Sequence, residues 1–116
     1  MATPKPGMPV RGSRSGRPIM ALLDLLGRRW VMRIIWELRA EALTFRELRA
    51  RCEDMSPTVL NQRLHDLRDA GIIDSAEEGG YALSMLGAGL LESMGPLLHW
   101  SEKWQRALDK EAKETT

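Results

Sequence analysis

The chain has 116 residues, a length that suits one domain, and its 43% hydrophobic content supports only a small core. No run of about 18 apolar residues exists and the first residues lack the apolar centre of a secretory signal, so a membrane span and a leader are both excluded as expectations. A single cysteine, Cys52, excludes an internal disulfide framework and fits a reducing, cytoplasmic setting.

Net charge is only +1, but its distribution is uneven. Residues 1–70 carry 13 Lys and Arg against 8 Asp and Glu, a balance of +5, whereas residues 71–116 carry 4 against 8, a balance of −4. Such a split is what an electrostatic footprint on phosphate requires; the alternative is a chance asymmetry of a solvated surface.

Residues 1–18 contain four prolines, three glycines and four cations (Lys5, Arg11, Arg14, Arg17) with no acid. This composition predicts a disordered basic arm, either a plain flexible tail or a segment that lies against phosphates or probes a minor groove. The remaining expected unit is residues 19–112. Ile19–Leu26 is apolar almost all round apart from Asp24, so that short helix must be buried by its own domain or by a partner. Gly27 and Arg28-Arg29 interrupt it, and a second helix from about Trp30 to Arg39 carries the stripe Val31, Ile34, Ile35 and Leu38.

Thr44-Phe45-Arg46-Glu47 has the form of a capping box, with Leu43 and Leu48 placed to staple it, and predicts a helix to about Cys52. Glu53-Asp54-Met55 is a three-residue turn. Ser56 then caps the next helix, Pro57 takes its first position and Gly71 ends it. Ile72–Ser75 and Tyr81–Leu83 flank a glycine-bearing loop and read as a hairpin. Ser84 caps a helical segment through Met94, Pro96 kinks or breaks it, and helix resumes to about Lys110 with Leu97, Trp100, Trp104 and Leu108 on one stripe. Two helices joined by a three-residue turn and followed by a hairpin make a winged helix-turn-helix: mainly α, with a two-stranded β wing.

The helix Ser56–Ala70 carries the functional reading. Leu60, Leu64 and Leu67 share one face and must pack inward. Thr58 and Gln62 fall opposite, with Asn61 and His65 to one side. Amides and hydroxyls both donate and accept, which suits them to base edges in a major groove. The helix N-terminus offers free N–H groups to phosphate. Ser56, Thr58, Asn61, Gln62 and His65 are therefore candidate DNA contacts. Arg63 sits on the flank, suited to the sugar-phosphate backbone, and Arg46 on the preceding helix is placed for an adjacent phosphate. The plain alternative is an ordinary polar surface in which Arg63 pairs with Glu47 or Asp66.

Four segments, in order and correctly spaced, resemble the HxlR-type winged helix-turn-helix regulators of bacteria and archaea over roughly residues 17–104. They are LLDLLGRRW at Leu22–Trp30 with WEL at Trp36–Leu38, FREL at Phe45–Leu48, MSPTVLNQRLHDL at Met55–Leu67, and YALSMLG at Tyr81–Gly87. The resemblance implies a homodimeric transcription regulator on double-stranded DNA, with the third of these segments in the major groove of a pseudo-palindromic operator. It also implies that the terminal helices build the dimer, which selects Leu22, Leu23 and Leu26 at one end and Leu97, Trp100, Trp104 and Leu108 at the other.

Three departures qualify it. Arg17 stands where the family often has a cysteine, so a thiol switch is absent there; Cys52 reads instead as a partly buried structural residue. Thr58 stands where a lysine is common. The hairpin loop contains Glu77 and Glu78, and acidic charge there is repelled by phosphate, which argues against a wing grip. These last two features motivate a second reading, a winged-helix module that contacts protein and has lost DNA binding. His65 and His99 lie on separate helices without metal spacing, and no nucleotide or nucleophile fingerprint occurs, so neither an enzyme nor a metal or cofactor is expected. A small-molecule effector is a further expectation, enclosed by the helices around Trp30, Met32, Met85 and Met94; plain core is the alternative.

Overall fold

The computed structural model describes residues 2–115. Its elements run α1 (Pro18–Gly27), α2 (Val31–Glu37), α3 (Phe45–Arg51), α4 (Pro57–Asp69), β1 (Ile73–Ser75), β2 (Tyr81–Leu83), α5 (Met85–Ser93) and α6 (Gly95–Thr115). This is the expected winged helix-turn-helix. β1 and β2 pair antiparallel with Ile73 opposite Leu83, and Leu43 adds a bridge to Tyr81 through N–H···O bonds of 3.0 and 2.8 Å. A short 3-10 turn, Glu77–Gly79, closes the hairpin.

Local chemistry sets each boundary. At α3 the Thr44 hydroxyl accepts from the Glu47 N–H at 3.1 Å and the Glu47 carboxylate accepts from the Thr44 N–H at 3.0 Å, a complete capping box. These bonds hold the Glu47 carboxyl below its ordinary pKa. Ser56 caps α4 through the Val59 N–H, and Pro57 fills its first position. At the other end Gly71 takes φ +81°, its N–H donates to Arg68 O, and the Ile72 N–H reaches back to Leu67 O at 2.9 Å. That is a Schellman closure, with Ile72 and Leu67 both buried behind it. The turn between α3 and α4 places Glu53 and Asp54 at left-handed φ values of 58° and 55°; the Arg49 guanidinium steadies it by donating to Met55 O at 2.7 Å.

The core joins Leu25 of α1, Val31, Ile34 and Ile35 of α2, Leu48 of α3, and Leu60, Leu64 and Leu67 of α4. Cys52 is fully buried within it, and burial raises its thiol pKa, keeping the group protonated and shielded.

In the structure residues 2–17 lie against the domain. Thr3 is buried, Lys5 pairs with Asp69 at 3.1 Å, the Arg28 guanidinium donates to Ala2 O at 2.8 Å, and the Arg11 N–H donates to Asp24. The arm is held by partners on α1, α4 and the α1–α2 junction, which composition could not reveal. The interruption expected at Pro96 is present as a break: α5 ends at Ser93 and α6 begins at Gly95, with Pro96 in its first turn, where a missing N–H costs nothing; α6 then runs beyond Lys110 to Thr115.

Candidate nucleic-acid interface

α4 divides cleanly. Leu60, Leu64 and Leu67 are buried, while Ser56, Thr58, Asn61, Gln62 and His65 are exposed along its outward side. Arg46 is exposed on α3, the helix that precedes the turn. Among the described residues no other segment buries Thr58 or Gln62. Six of the seven expected DNA contacts are thus open to solvent on two consecutive helices.

The seventh, Arg63, is half-buried and committed elsewhere. Its guanidinium donates to Asp66 Oδ2 at 2.9 Å, the pairing that stood as the alternative to a backbone contact. Asp66 is the feature that sequence reading missed. It is fully buried and accepts four bonds: from Arg28 (3.0 Å) and Arg63 on Oδ2, and from Thr3 Oγ1 (3.4 Å) and Gln62 Nε2 (3.3 Å) on Oδ1. A charge removed from water is tolerated only with this density of donors. The Arg63–Asp66 spacing of three residues was the available signal, but the burying segments, the arm and Arg28, lie 63 and 38 residues away. Gln62 is consequently tethered at one N–H, leaving its carbonyl and second N–H for a groove. Lys5, with Thr3, holds the Asp69 carboxyl below its ordinary pKa at the same end of α4.

The wing is as acidic as expected: Glu77 and Glu78 are exposed at its tip. Arg68 stacks over the Tyr81 ring at 5.5 Å and bonds the Ser75 hydroxyl, joining α4 to both strands.

The expected dimer residues fall into two groups. On α6, Leu97, Trp100, Trp104 and Leu108 are 48–56% exposed, and the two indoles stack at 5.7 Å. None of the four belongs to the buried core, though Leu97 lines a cavity with Met32 and Trp36 of α2. On α1, Leu23 is exposed, Leu22 is half-buried, and Leu26 packs against the core. Leu22 also lines an apolar groove of about 790 Å³ together with Met85 and Leu86 of α5. Of the residues expected around an effector, Met85 lines that groove, Met32 and Met94 line a separate cavity of about 400 Å³, and Trp30 lines neither. No cluster of potential metal ligands occurs among the described residues, nor a helix long and apolar enough to cross a membrane.

A family model described as HxlR-like helix-turn-helix matches residues 25–109. The chain is 27% identical over 88 residues to the uncharacterized HTH-type transcriptional regulator YvaP of Bacillus subtilis, spanning 71% of this chain and 82% of that protein. Quinone-bound YodB from B. subtilis is similar in structure, with a TM-score of 0.68 at 25% identity over 73% of this chain and 94% of that one. A possible HxlR family transcriptional factor from Thermoplasma volcanium reaches a TM-score of 0.64 at 31% identity over 73% and 82% of the two chains.

Proposed function

The chain belongs to the HxlR-like helix-turn-helix family and is a transcriptional regulator of that kind; we propose that it acts as a homodimer, setting α4 of each protomer into the major groove of a pseudo-palindromic operator. The observation that carries this reading is the split face of α4. A buried leucine seam fixes the helix to the scaffold while hydroxyl, amide and imidazole groups stand outward at its leading turns. Two-fold symmetry then spaces the two fronts at about 34 Å, one turn of duplex.

Roles follow from position. Thr58, Asn61 and Gln62 read base edges, Ser56 and the first N–H groups of α4 meet a phosphate, and Arg46 holds a neighbouring phosphate from α3. His65 lies deeper along the same outward side. Arg63, bound to Asp66, serves chiefly to fix α4. The acidic wing tip stands off from the backbone, so the footprint per protomer is narrow. The α6 stripe and Leu23 supply the apolar contact between protomers, since a lone chain leaves both in water.

A gel-shift titration on the protein's own promoter region, repeated at several salt concentrations, tests the reading. Specific binding should weaken steeply as salt rises. Arg46→Ala should weaken binding on all sequences alike, whereas Gln62→Ala should relax preference at one base pair by about 1–3 kcal/mol. A stable assembly with no salt-dependent DNA affinity would sink it and favour the protein-interaction module.

A further inference from the structure

Beside the outward face of α4 lies a polar cavity of about 440 Å³, lined by Arg11, Gly27, Arg28, Arg29, Gln62 and Arg63. Four of these residues are arginines and none is an acid. Asp66, behind the wall, pairs with Arg28 and Arg63, and Asp24 forms a further ion pair with Arg28 at 4.0 Å.

Two of the four arginines are prevented from turning away. Arg28, with 10% of its side chain exposed, is pinned through Nη1 to Asp66 and through Nη2 to Ala2 O, and Arg63 through Nη1 to Asp66. Their Nε atoms are buried and have no hydrogen-bond partner. A buried N–H without an acceptor is as costly as a lost hydrogen bond, and natural sites tolerate it where a ligand supplies the acceptor. Arg11 and Arg29 are exposed and complete the rim. At Gly27 the wall is open: a side chain there would meet nothing within 4 Å.

We propose that this cavity binds an oxyanion, a phosphoryl or carboxylate group held by the forked donors of the arginine cluster. Guanidinium forks match the paired oxygens of such groups, and a pinned guanidinium loses little freedom on binding them. Two sources carry the same chemistry: a phosphodiester of the duplex that α4 is proposed to contact, and a free phosphorylated or carboxylate small molecule. Only the first source rests on the DNA-binding reading.

The test has two arms. In the first, inorganic phosphate is titrated into the protein without DNA, at ionic strength matched with chloride, and binding is read by calorimetry and by the shift in Tm. The Arg11→Ala/Arg29→Ala double variant leaves the Asp66 cluster untouched, and Arg14→Ala, on the arm but outside the cavity, is the control. Saturable phosphate binding that weakens about tenfold per guanidinium removed supports a free anion. In the second arm, DNA affinity of the same variants is followed against salt. Absent phosphate binding but a salt slope reduced by about one for each lost contact supports the phosphodiester. If the wild-type chain binds no DNA, the first arm decides alone, so the two readings fail separately. Phosphate without effect, together with either an unchanged salt slope or no DNA binding at all, overturns the proposal.

Discussion

Asp66 is the residue on which the geometry of α4 turns. Its carboxylate is fully buried within the helix proposed to read DNA, and it ties that helix to Arg28 of the α1–α2 junction and to Thr3 of the arm. Replacing it leaves two guanidinium groups facing each other without a counter-charge. Asp66→Asn should therefore cost about 3–5 kcal/mol, seen as a lower urea midpoint with an unchanged slope. An exposed acid of the same helix makes a useful contrast, since the Lys5–Asp69 pair is solvated on both sides and contributes little. If Asp66→Asn unfolds at the wild-type midpoint, the cluster is ornamental and the arm is not anchored through it.

At the scale of elements, α5 is seated by an absence. Gly87 lies so close to the start of the wing that an added Cβ would stand 2.0 Å from Ile72 O, a backbone atom that cannot step aside. The Ser84 hydroxyl, which caps α5, also donates to Gly71 O and Ile72 O at 2.6 and 3.0 Å, locking the same junction. Gly87→Ala should gain slightly in helix propensity yet lose about 3 kcal/mol or more from overpacking, measured as a net drop in Tm. Gly89, with nothing within 4 Å, is the matched control: Ala there should be neutral or stabilising. Much of this scale was legible beforehand, because caps act within a few residues. The seat of α5 was not, since a glycine inside a helical pattern does not say what approaches it.

For the molecule as a whole, shape repeats what exposure says. The radius of gyration is 16.5 Å, against about 13 Å for a compact chain of this length. From Pro96 to Glu114 every residue of that helix is exposed, including Leu97, Trp100, Trp104 and Leu108. An isolated chain leaves about half of this stripe in water, so a partner that covered it would stabilise the fold. Trp100→Ser/Trp104→Ser should shift the sedimenting species from dimer to monomer and reduce operator affinity about a hundredfold or more, through loss of simultaneous half-site contact. A monomeric wild type at micromolar concentration would end the dimer reading and leave the Trp stripe unexplained.

Taken alone, the order of residues determined the elements and their kind: the Thr44–Glu47 box, the Ser56-Pro57 entry, the Gly71 exit and the leucine period of α4 all act over one or two turns. It also identified the outward face of α4, because a helical period separates buried from exposed positions without further information. Only tertiary structure decided which polar residues of that face are free. Asp66 lies off the leucine seam yet is buried, because Arg28 and the N-terminal arm come from far along the chain to meet it. Charge pairing across such distances leaves no periodic trace in a sequence, whereas the Arg63–Asp66 pair, three residues apart, was legible as an alternative.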